Sequence, residues 1–218
     1  MTGIPVTNFA PPRPATLNLA GKMGRSARGW RSRILLPDIG WDKITNLNRA
    51  LSFDFEHPGL GAVVWPIVYA GPFEISEEGM AGHGEGEHAS GFYDDSDHGG
   101  NQAFDSYARK QYPGLSVPDA LRRLVFDQCR ARIQQSNIVL AYLTEGTEYG
   151  TLVEIGIAHA LGKFVWVGMS PDLDNKEFWF AQAAAHGVTV GSAKDALFHA
   201  LLEAASSGYV ATPEPADA

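Results

Sequence analysis

The sequence predicts an α/β protein built around parallel strands. Two unbroken apolar runs of strand length, NIVLAYL at 137–143 and FVWVGM at 164–169, lie on either side of a segment with helical spacing at 151–161. That segment ends at Gly162, a residue type that tolerates the left-handed conformation common after helices. Together they predict a βαβ unit, because parallel strands covered by helices on both faces have unbroken apolar sequences of this kind.

The other predicted elements continue this alternation of strand and helix. A short strand is predicted at 16–20, followed by a glycine-rich turn at 21–29 and a helix at 30–36. A β-branched and aromatic stretch at 62–70 predicts a second strand, in which Pro66 indicates an edge position or a break. We further predict a helix at 117–135 with Pro118 in its first turn, a short strand at 188–190 and a helix at 193–205.

The length of the chain, 218 residues, is suited to one domain with a buried core. We expect a proline-rich flexible leader at 1–15, a single domain at 16–205 and a flexible tail at 206–218. Residues 74–101 are rich in Gly, His and acids and have no hydrophobic period, which indicates a long loop. Such a loop is typically either a lid or a disordered segment.

Charge and cysteine content exclude some classes of partner. The chain carries 25 acidic and 17 basic side chains, so a broad face for polyanions, and with it nucleic acid, is not expected. Cys129 is the only cysteine, which rules out an intrachain disulfide and favours a reducing, cytoplasmic compartment. No secretory signal is recognisable, and the most apolar segment, 59–73, is too short and too interrupted by Gly and Pro to span a membrane.

Three carboxylates follow the strand predicted at 137–143. Glu145 and Glu148 lie in the turn and Glu154 lies in the predicted first turn of the next helix. Ligands of open α/β sheets bind at the carboxyl ends of the strands, so these acids are candidates for a site. A structural interpretation stands beside this one: Thr151 and Glu154 have the spacing of a capping box, and Glu145 and Glu148 have the character of solvated loop acids.

Three motifs accompany these acids: LAGK at 19–22, SNIVLAY at 136–142 and GTLVEIGIAHALGK at 150–163. Together they resemble the nucleoside 2-deoxyribosyltransferase superfamily, which includes deoxynucleoside 5′-monophosphate N-hydrolases and CMP hydrolases. The resemblance covers the first strand and loop and then residues 120–169. It implies a flavodoxin-like (Rossmann-like) parallel sheet with helices on both faces, and cleavage of the N-glycosidic bond between a base and a pentose.

The resemblance also implies roles for individual residues. Glu154 matches the catalytic glutamate, whose carboxylate attacks or stabilises the anomeric carbon in an oxocarbenium-like transition state. Glu148 matches a second acid of the site, which orients the sugar or the base. The further residues assigned to substrate binding are Asn18, Gly21, Arg25, Ser26, Arg28, Tyr69, Gly150 and Thr151.

Two positions depart from the family pattern. Asn18 stands where the family usually has a tyrosine, and Tyr69 in the similar YAGP stretch is a candidate replacement. Cys129 stands where the family often has an aspartate that positions or protonates the substrate, and Asp127 would face differently on a helix. A single cysteine at an apolar helical position is usually a small core residue rather than a nucleophile.

Two polar clusters remain open to more than one interpretation. Arg25, Ser26 and Arg28 are either solvated surface residues or a site for a 5′-phosphate at the start of a helix, as in the family's nucleotide hydrolases. The histidines and acids of 83–98 lack a recognised zinc spacing and are more typical of a mobile loop. We therefore predict no metal and no cofactor.

The leading functional hypothesis is a nucleoside or nucleotide N-glycosidase that acts by hydrolysis or by base transfer. One alternative is a module that binds a nucleotide or a nucleotide-derived signal without turnover. Another is a glycosidase that acts on NAD or on cyclic nucleotide signals. A homo-oligomer is expected, because members of the family complete their pockets with residues from a neighbouring subunit.

Overall fold

The computed structural model describes residues 15–21, 50–57, 61–71, 108–212 and 214–215. Its strands are β1 (Ala15–Ala20), β2 (Ala50–His57), β3 (Gly61–Gly71), β4 (Ile138–Leu143), β5 (Phe164–Met169), β6 (Gly187–Val190) and β7 (Glu214–Pro215). Its helices are α1 (Val117–Gln135), α2 (Tyr149–Ala160), α3 (Trp179–Ala183) and α4 (Ala193–Ser206), with a 3₁₀ turn at Asn175–Phe178. Residues 108–111 are also helical.

The strands form one sheet in the order β2-β3-β1-β4-β5-β6, with β7 paired to β3. Five of them, β3-β1-β4-β5-β6, are parallel, whereas β2 and β7 run antiparallel to β3. Numbered along the chain, the parallel strands have the order 2-1-3-4-5 of flavodoxin-like sheets. The predicted α/β, flavodoxin-like fold class is therefore confirmed.

Helices cover both faces of the sheet, because neighbouring residues of each strand point to opposite faces. On one face Leu17, Leu140 and Trp166 belong to a buried cluster that includes residues of α4. On the other face Val139 and Val167 belong to a cluster with residues of α1, α2 and α3. Because helices cover both faces, β4 and β5 are buried along their whole length and have continuous apolar sequences.

Most predicted elements of the described segments lie within a few residues of their predicted bounds. The helix α1 begins after Ser116, whose side chain accepts a hydrogen bond from the Asp119 amide, and Pro118 lies in its first turn as predicted. Gly162, just after α2, has a φ of 65°, the left-handed conformation predicted for it. The helix predicted at 30–36 and the loop at 74–101 lie outside the described residues.

The strand β3 has partners on both sides, so the predicted edge position of Pro66 is wrong. Pro66 pairs with Ser52 of β2, and on the other side it falls between Val64, which pairs with β7, and Ile67, which pairs with β1. A residue without an amide proton is tolerated there because the neighbouring strand changes at this point. The break proposed for Pro66 is thus a change of partner within a continuous strand.

Five elements of the described residues were not predicted: β2, the helical residues 108–111, the 3₁₀ turn, α3 and β7, which lies in the predicted flexible tail. The strand β2 has the alternating pattern L-x-F-x-F at 51–55, which is a signal for a strand. The 3₁₀ turn and α3 are too short to show a period of their own. The core also continues past the predicted domain end at 205, because Val210 is buried and the ring of Tyr209 lies 5.2 Å from that of Phe164.

Gly168 in β5 lies where α4 approaches the sheet most closely. A Cβ atom at this position would lie 2.6 Å from the Cβ of Ala196 and 2.6 Å from the ring of Tyr142. The ring cannot easily move, because its hydroxyl donates a hydrogen bond to the Gly191 carbonyl at 2.7 Å. The helix can therefore pack at this distance only against glycine.

Two linked polar contacts lie within the apolar cluster under α4. The indole N–H of Trp166 donates to the Thr189 hydroxyl at 2.9 Å, and that hydroxyl lies 3.0 Å from Nδ1 of His199. Thr189 and Trp166 are both buried. The threonine hydroxyl thus satisfies an indole donor that would otherwise be buried without a partner.

Candidate functional site

The candidate site lies between β1 and β4, at the reversal of strand order in the parallel sheet. The chain leaves β1 towards β3 on one side, and later continues from β4 to β5 on the other. Crevices that hold ligands in open α/β sheets form at such points, outside the carboxyl ends of the strands. Asn137 fixes the opposite end of this strand pair, because its side chain accepts from the Thr16 amide at 2.7 Å.

Glu148 organises the turn that connects β4 to α2. Its Oε1 accepts hydrogen bonds from the Thr144 amide at 2.6 Å, the Thr144 hydroxyl at 2.8 Å and the Glu145 amide at 3.2 Å. Its Oε2 accepts from the Thr151 hydroxyl at 3.2 Å. The side chain is only 3% exposed, so this carboxylate replaces water for four donors of the turn.

The structural interpretations of Glu148 and of the pair Thr151 and Glu154 are wrong. Glu148 is not a solvated loop acid, because burial and the four hydrogen bonds hold it inside the turn. Thr151 and Glu154 do not form a capping box, because α2 begins at Tyr149 with Glu148 in the N-cap position. Thr151 is therefore already the third helical residue, and Glu154 belongs to the second turn rather than the first.

Glu154 lies on one flank of the side of α2 that faces the sheet. It is three residues after Thr151 and four before Ala158, both buried, so it borders the face that packs on the sheet. His159, whose Nδ1 lies 2.8 Å from the Ala184 carbonyl just after α3, marks the opposite flank. The two positions differ by about 140° around the helix axis.

This flank leaves space beside the half-buried carboxylate. Gly150 is one turn nearer the carboxyl edge of the sheet than Glu154, on the same side of the helix. A Cβ atom at Gly150 would meet no atom within 4 Å. The position one turn before Glu154, towards the end of the sheet at which ligands of this fold bind, is therefore not filled by a side chain.

Asn18 lies in β1, on the face that α1 and α2 cover. It is 2% exposed, and its Oδ1 has no hydrogen-bond partner within the described part of the chain. A Cβ atom added to Gly71 would lie 3.3 Å from Nδ2 of Asn18 and 3.2 Å from the Cβ of Arg132. Gly71, with a φ of 146°, thus allows β1, β3 and α1 to meet around the asparagine.

Tyr69 is not brought to Glu154. Its side chain is 1% exposed and belongs to the core cluster under α4, on the opposite face of the sheet. It pairs with Leu17 of β1, which points to the same face. The structure therefore does not place a replacement phenol beside Asn18 through Tyr69.

Cys129 and Asp127 have different surroundings on α1, as the sequence analysis expected. Cys129 is one turn before the buried Ile133 and shares its sheet-facing side. Asp127 accepts instead from the Tyr112 hydroxyl at 2.7 Å and from Arg123 at 2.9 Å. The bond from Tyr112, aided by Arg123 and opposed by partial burial, holds the pKa of Asp127 below its usual value.

Several predicted site residues lie outside the described residues: Arg25, Ser26, Arg28 and the histidines and acids of 83–98. Gly21, at the end of β1, is described and lies at the carboxyl edge of the sheet. Within the described ranges no three His, Cys, Asp or Glu side chains are placed to share a metal ion. The residue that sequence reasoning missed is Thr144, whose amide and hydroxyl both bind Glu148.

The chain matches no protein-family model, and no curated protein matches it significantly. In the part of the chain that the structure describes, no helix combines the length and apolarity needed to cross a membrane.

Proposed function

We propose that this chain cleaves the N-glycosidic bond of a nucleoside or nucleoside 5′-monophosphate, or transfers the sugar to a second base. The observation that carries the proposal is the place of Glu154: half-buried, in the second turn of the helix that follows β4, and one turn after the open position of Gly150. The resemblance of the motifs around it supplies the reaction class.

Glu154 is proposed as the nucleophile or the stabilising anion. As the bond between the base and C1′ breaks, its electron pair leaves with the base and positive charge develops on the sugar. A nearby carboxylate stabilises that charge or forms an ester with C1′. Water then releases the sugar in hydrolysis, whereas a second base accepts it in transfer.

Glu148 is proposed as a positioning residue for this reaction. Its two carboxylate oxygens are occupied by donors of the turn, so its role is to fix the start of α2 and with it the direction of Glu154. This differs from the substrate contact that the resemblance implies for it.

The test is release of free base from a panel of nucleosides, their 5′-monophosphates and NAD, followed by chromatography. Glu154→Gln is expected to lower base release by about 10²-fold or more while changing the melting temperature little, because Glu154 caps no helix. Glu145→Gln, a half-buried acid of the same turn, is the matched control and should retain activity. Near-normal turnover in Glu154→Gln would overturn the assignment. Addition of a second base distinguishes the two reactions, because transfer forms a new nucleoside whereas hydrolysis releases the free sugar.

A second candidate function is nucleotide binding without turnover. Asn18 and Cys129 occupy the two positions at which the family usually carries a phenol and an acid, and Tyr69, the candidate replacement, points to the opposite face of the sheet from Asn18. Stabilisation of the wild-type chain by a nucleotide, with no base released over long incubation, would favour this function.

We also propose that the chain forms a homo-oligomer. Trp179 and Phe180 at the start of α3 are 67% and 74% exposed, and their rings lie edge to face at 5.4 Å. Burial of such an aromatic pair against a second copy would stabilise an assembly. Light scattering at working concentration tests this, and a monomer in both wild type and Trp179→Ser would contradict it.

A further inference from the structure

A cavity lies where the chain enters α1, apart from the turn that carries Glu148 and Glu154. Its volume is about 380 Å³, and the described residues that line it are Arg109, Tyr112, Gly114, Leu115 and Ser116. This volume is within the range of small-molecule pockets, which begins at about 300 Å³. Gly114, with a φ of 97° and no atom within 4 Å of a Cβ position, leaves the cavity open.

The cavity belongs to a basic segment of an acidic protein. Residues 108–135 contain six Lys or Arg side chains and two acids, whereas the rest of the chain contains eleven Lys or Arg and twenty-three acids. A local excess of positive charge in a protein of net charge -8 attracts anions to this segment. The sequence analysis singled out the cations at Arg25 and Arg28 but not this segment.

The two acids of the segment are already engaged by arginines of α1. Asp119 lies 3.4 Å from Arg122, and Asp127 lies 2.9 Å from Arg123 and 3.7 Å from Arg130. Arg109 is exposed, lines the cavity and has no acidic partner in the described ranges. Its guanidinium therefore remains available for an anion.

The opposite wall of the cavity is held in place. The Tyr112 hydroxyl donates to Asp127 Oδ2 at 2.7 Å, which ties the segment before α1 to the middle of the helix. The Ser116 hydroxyl is occupied by Asp119 Oδ2 at 2.5 Å. Arg109 is thus the lining side chain whose charge and donors are suited to bind a ligand.

The cavity is beyond the carboxyl edge of the sheet. The helix α1 ends at Gln135, three residues before β4 begins, so the two elements run side by side in opposite directions. The 19-residue helix is about 28 Å long, and the six-residue strand is about 20 Å long. The start of α1, with the cavity next to it, extends past the end of β4 on the side where ligands of this fold bind.

We propose that this cavity binds the phosphate group of a small phosphorylated ligand through Arg109. A guanidinium binds phosphate with two parallel hydrogen bonds, and the excess of positive charge in residues 108–135 favours the approach of an anion. The phosphate belongs either to a nucleotide that reaches Glu154 or to a separate small molecule. The binding itself does not depend on the proposed glycosidase activity.

The test compares Arg109→Ala with Lys110→Ala in the full chain. Both variants remove one exposed positive charge, but only Arg109 lines the cavity. Inorganic pyrophosphate is titrated into each protein by calorimetry at fixed ionic strength. We expect Arg109→Ala to weaken binding about tenfold or more and Lys110→Ala to change it less than about threefold, with partial retention in Arg109→Lys.

Equal losses in the two alanine variants, or no pyrophosphate binding by the wild type at millimolar concentration, would overturn the proposal. Titrations with adenosine, AMP and ribose 5-phosphate then identify the source of the phosphate. If base release from monophosphates alone depends on Arg109, the phosphate belongs to the substrate of Glu154. If base release is absent or independent of Arg109 while pyrophosphate binding depends on it, the cavity serves a separate phosphorylated ligand.

Discussion

Replacement of Glu148 tests whether one buried carboxylate holds the turn between β4 and α2. Glu148→Ala leaves the Thr144 amide, the Glu145 amide and two hydroxyls without their shared acceptor. A hydrogen bond to a charged group contributes about 1.5–3 kcal/mol, and water that enters the space recovers part of this. We therefore expect a loss of about 3 kcal/mol, which for a chain of this size lowers the melting temperature by about 6–12 °C.

Glu148→Gln separates charge from shape. The amide oxygen still accepts from the backbone donors and the new amide group can donate to Thr151, so the loss should be about 1 kcal/mol. The assay is thermal unfolding followed by circular dichroism, with Glu145→Ala as the control in the same turn. A Glu148→Ala variant that melts within about 1 °C of the wild type would refute the reasoning. A stable Glu148→Gln variant in which KM rises while kcat is unchanged would show instead that Glu148 contacts the substrate.

Three further predictions concern packing and polar contacts outside the candidate site. Gly168→Ala should lower the free energy of unfolding by about 1–3 kcal/mol through overpacking. Gly156→Ala, at an exposed helical position with open space, should instead raise it by about 0.5–1 kcal/mol. Chemical denaturation of the two variants checks both values. Thr189→Val should cost about 1–2 kcal/mol because it removes the buried acceptor of an indole N–H, and Thr189→Ser, which keeps the hydroxyl, should retain most of that stability in the same assay. Tyr112→Phe removes the strongest cause of the lowered pKa of Asp127, so it should cost about 1 kcal/mol at pH 7. A lowered carboxyl pKa stabilises the fold above the ordinary carboxyl value of about 4, and this contribution is lost as the pH falls from there through the lower folded-state value. Urea denaturation should therefore show the deficit shrinking as the pH falls below about 4.

The sequence alone determined the parallel core of the fold. Unbroken apolar runs at 137–143 and 164–169 are visible without a structure because a strand buried on both faces has no polar positions. Helical spacing gave the bounds of α1, and Gly162 marked the end of α2 because the left-handed conformation there favours glycine. The acids after β4 were likewise recognisable as candidates, since their position follows from the chain order alone.

Only the tertiary structure showed the surroundings of these acids. The spacing of Thr151 and Glu154 is a local pattern that is typical of a capping box. The helix α2 starts earlier, at Tyr149, next to the buried carboxylate of Glu148, which accepts from donors at both ends of the turn. Tyr69 and Asn18 are close in the sheet, yet they point to opposite faces, because the side on which a strand residue points depends on pairing register. Charge is similar: the total of -8 is a property of the sequence, whereas only the structure places Arg109 at a cavity next to the start of α1.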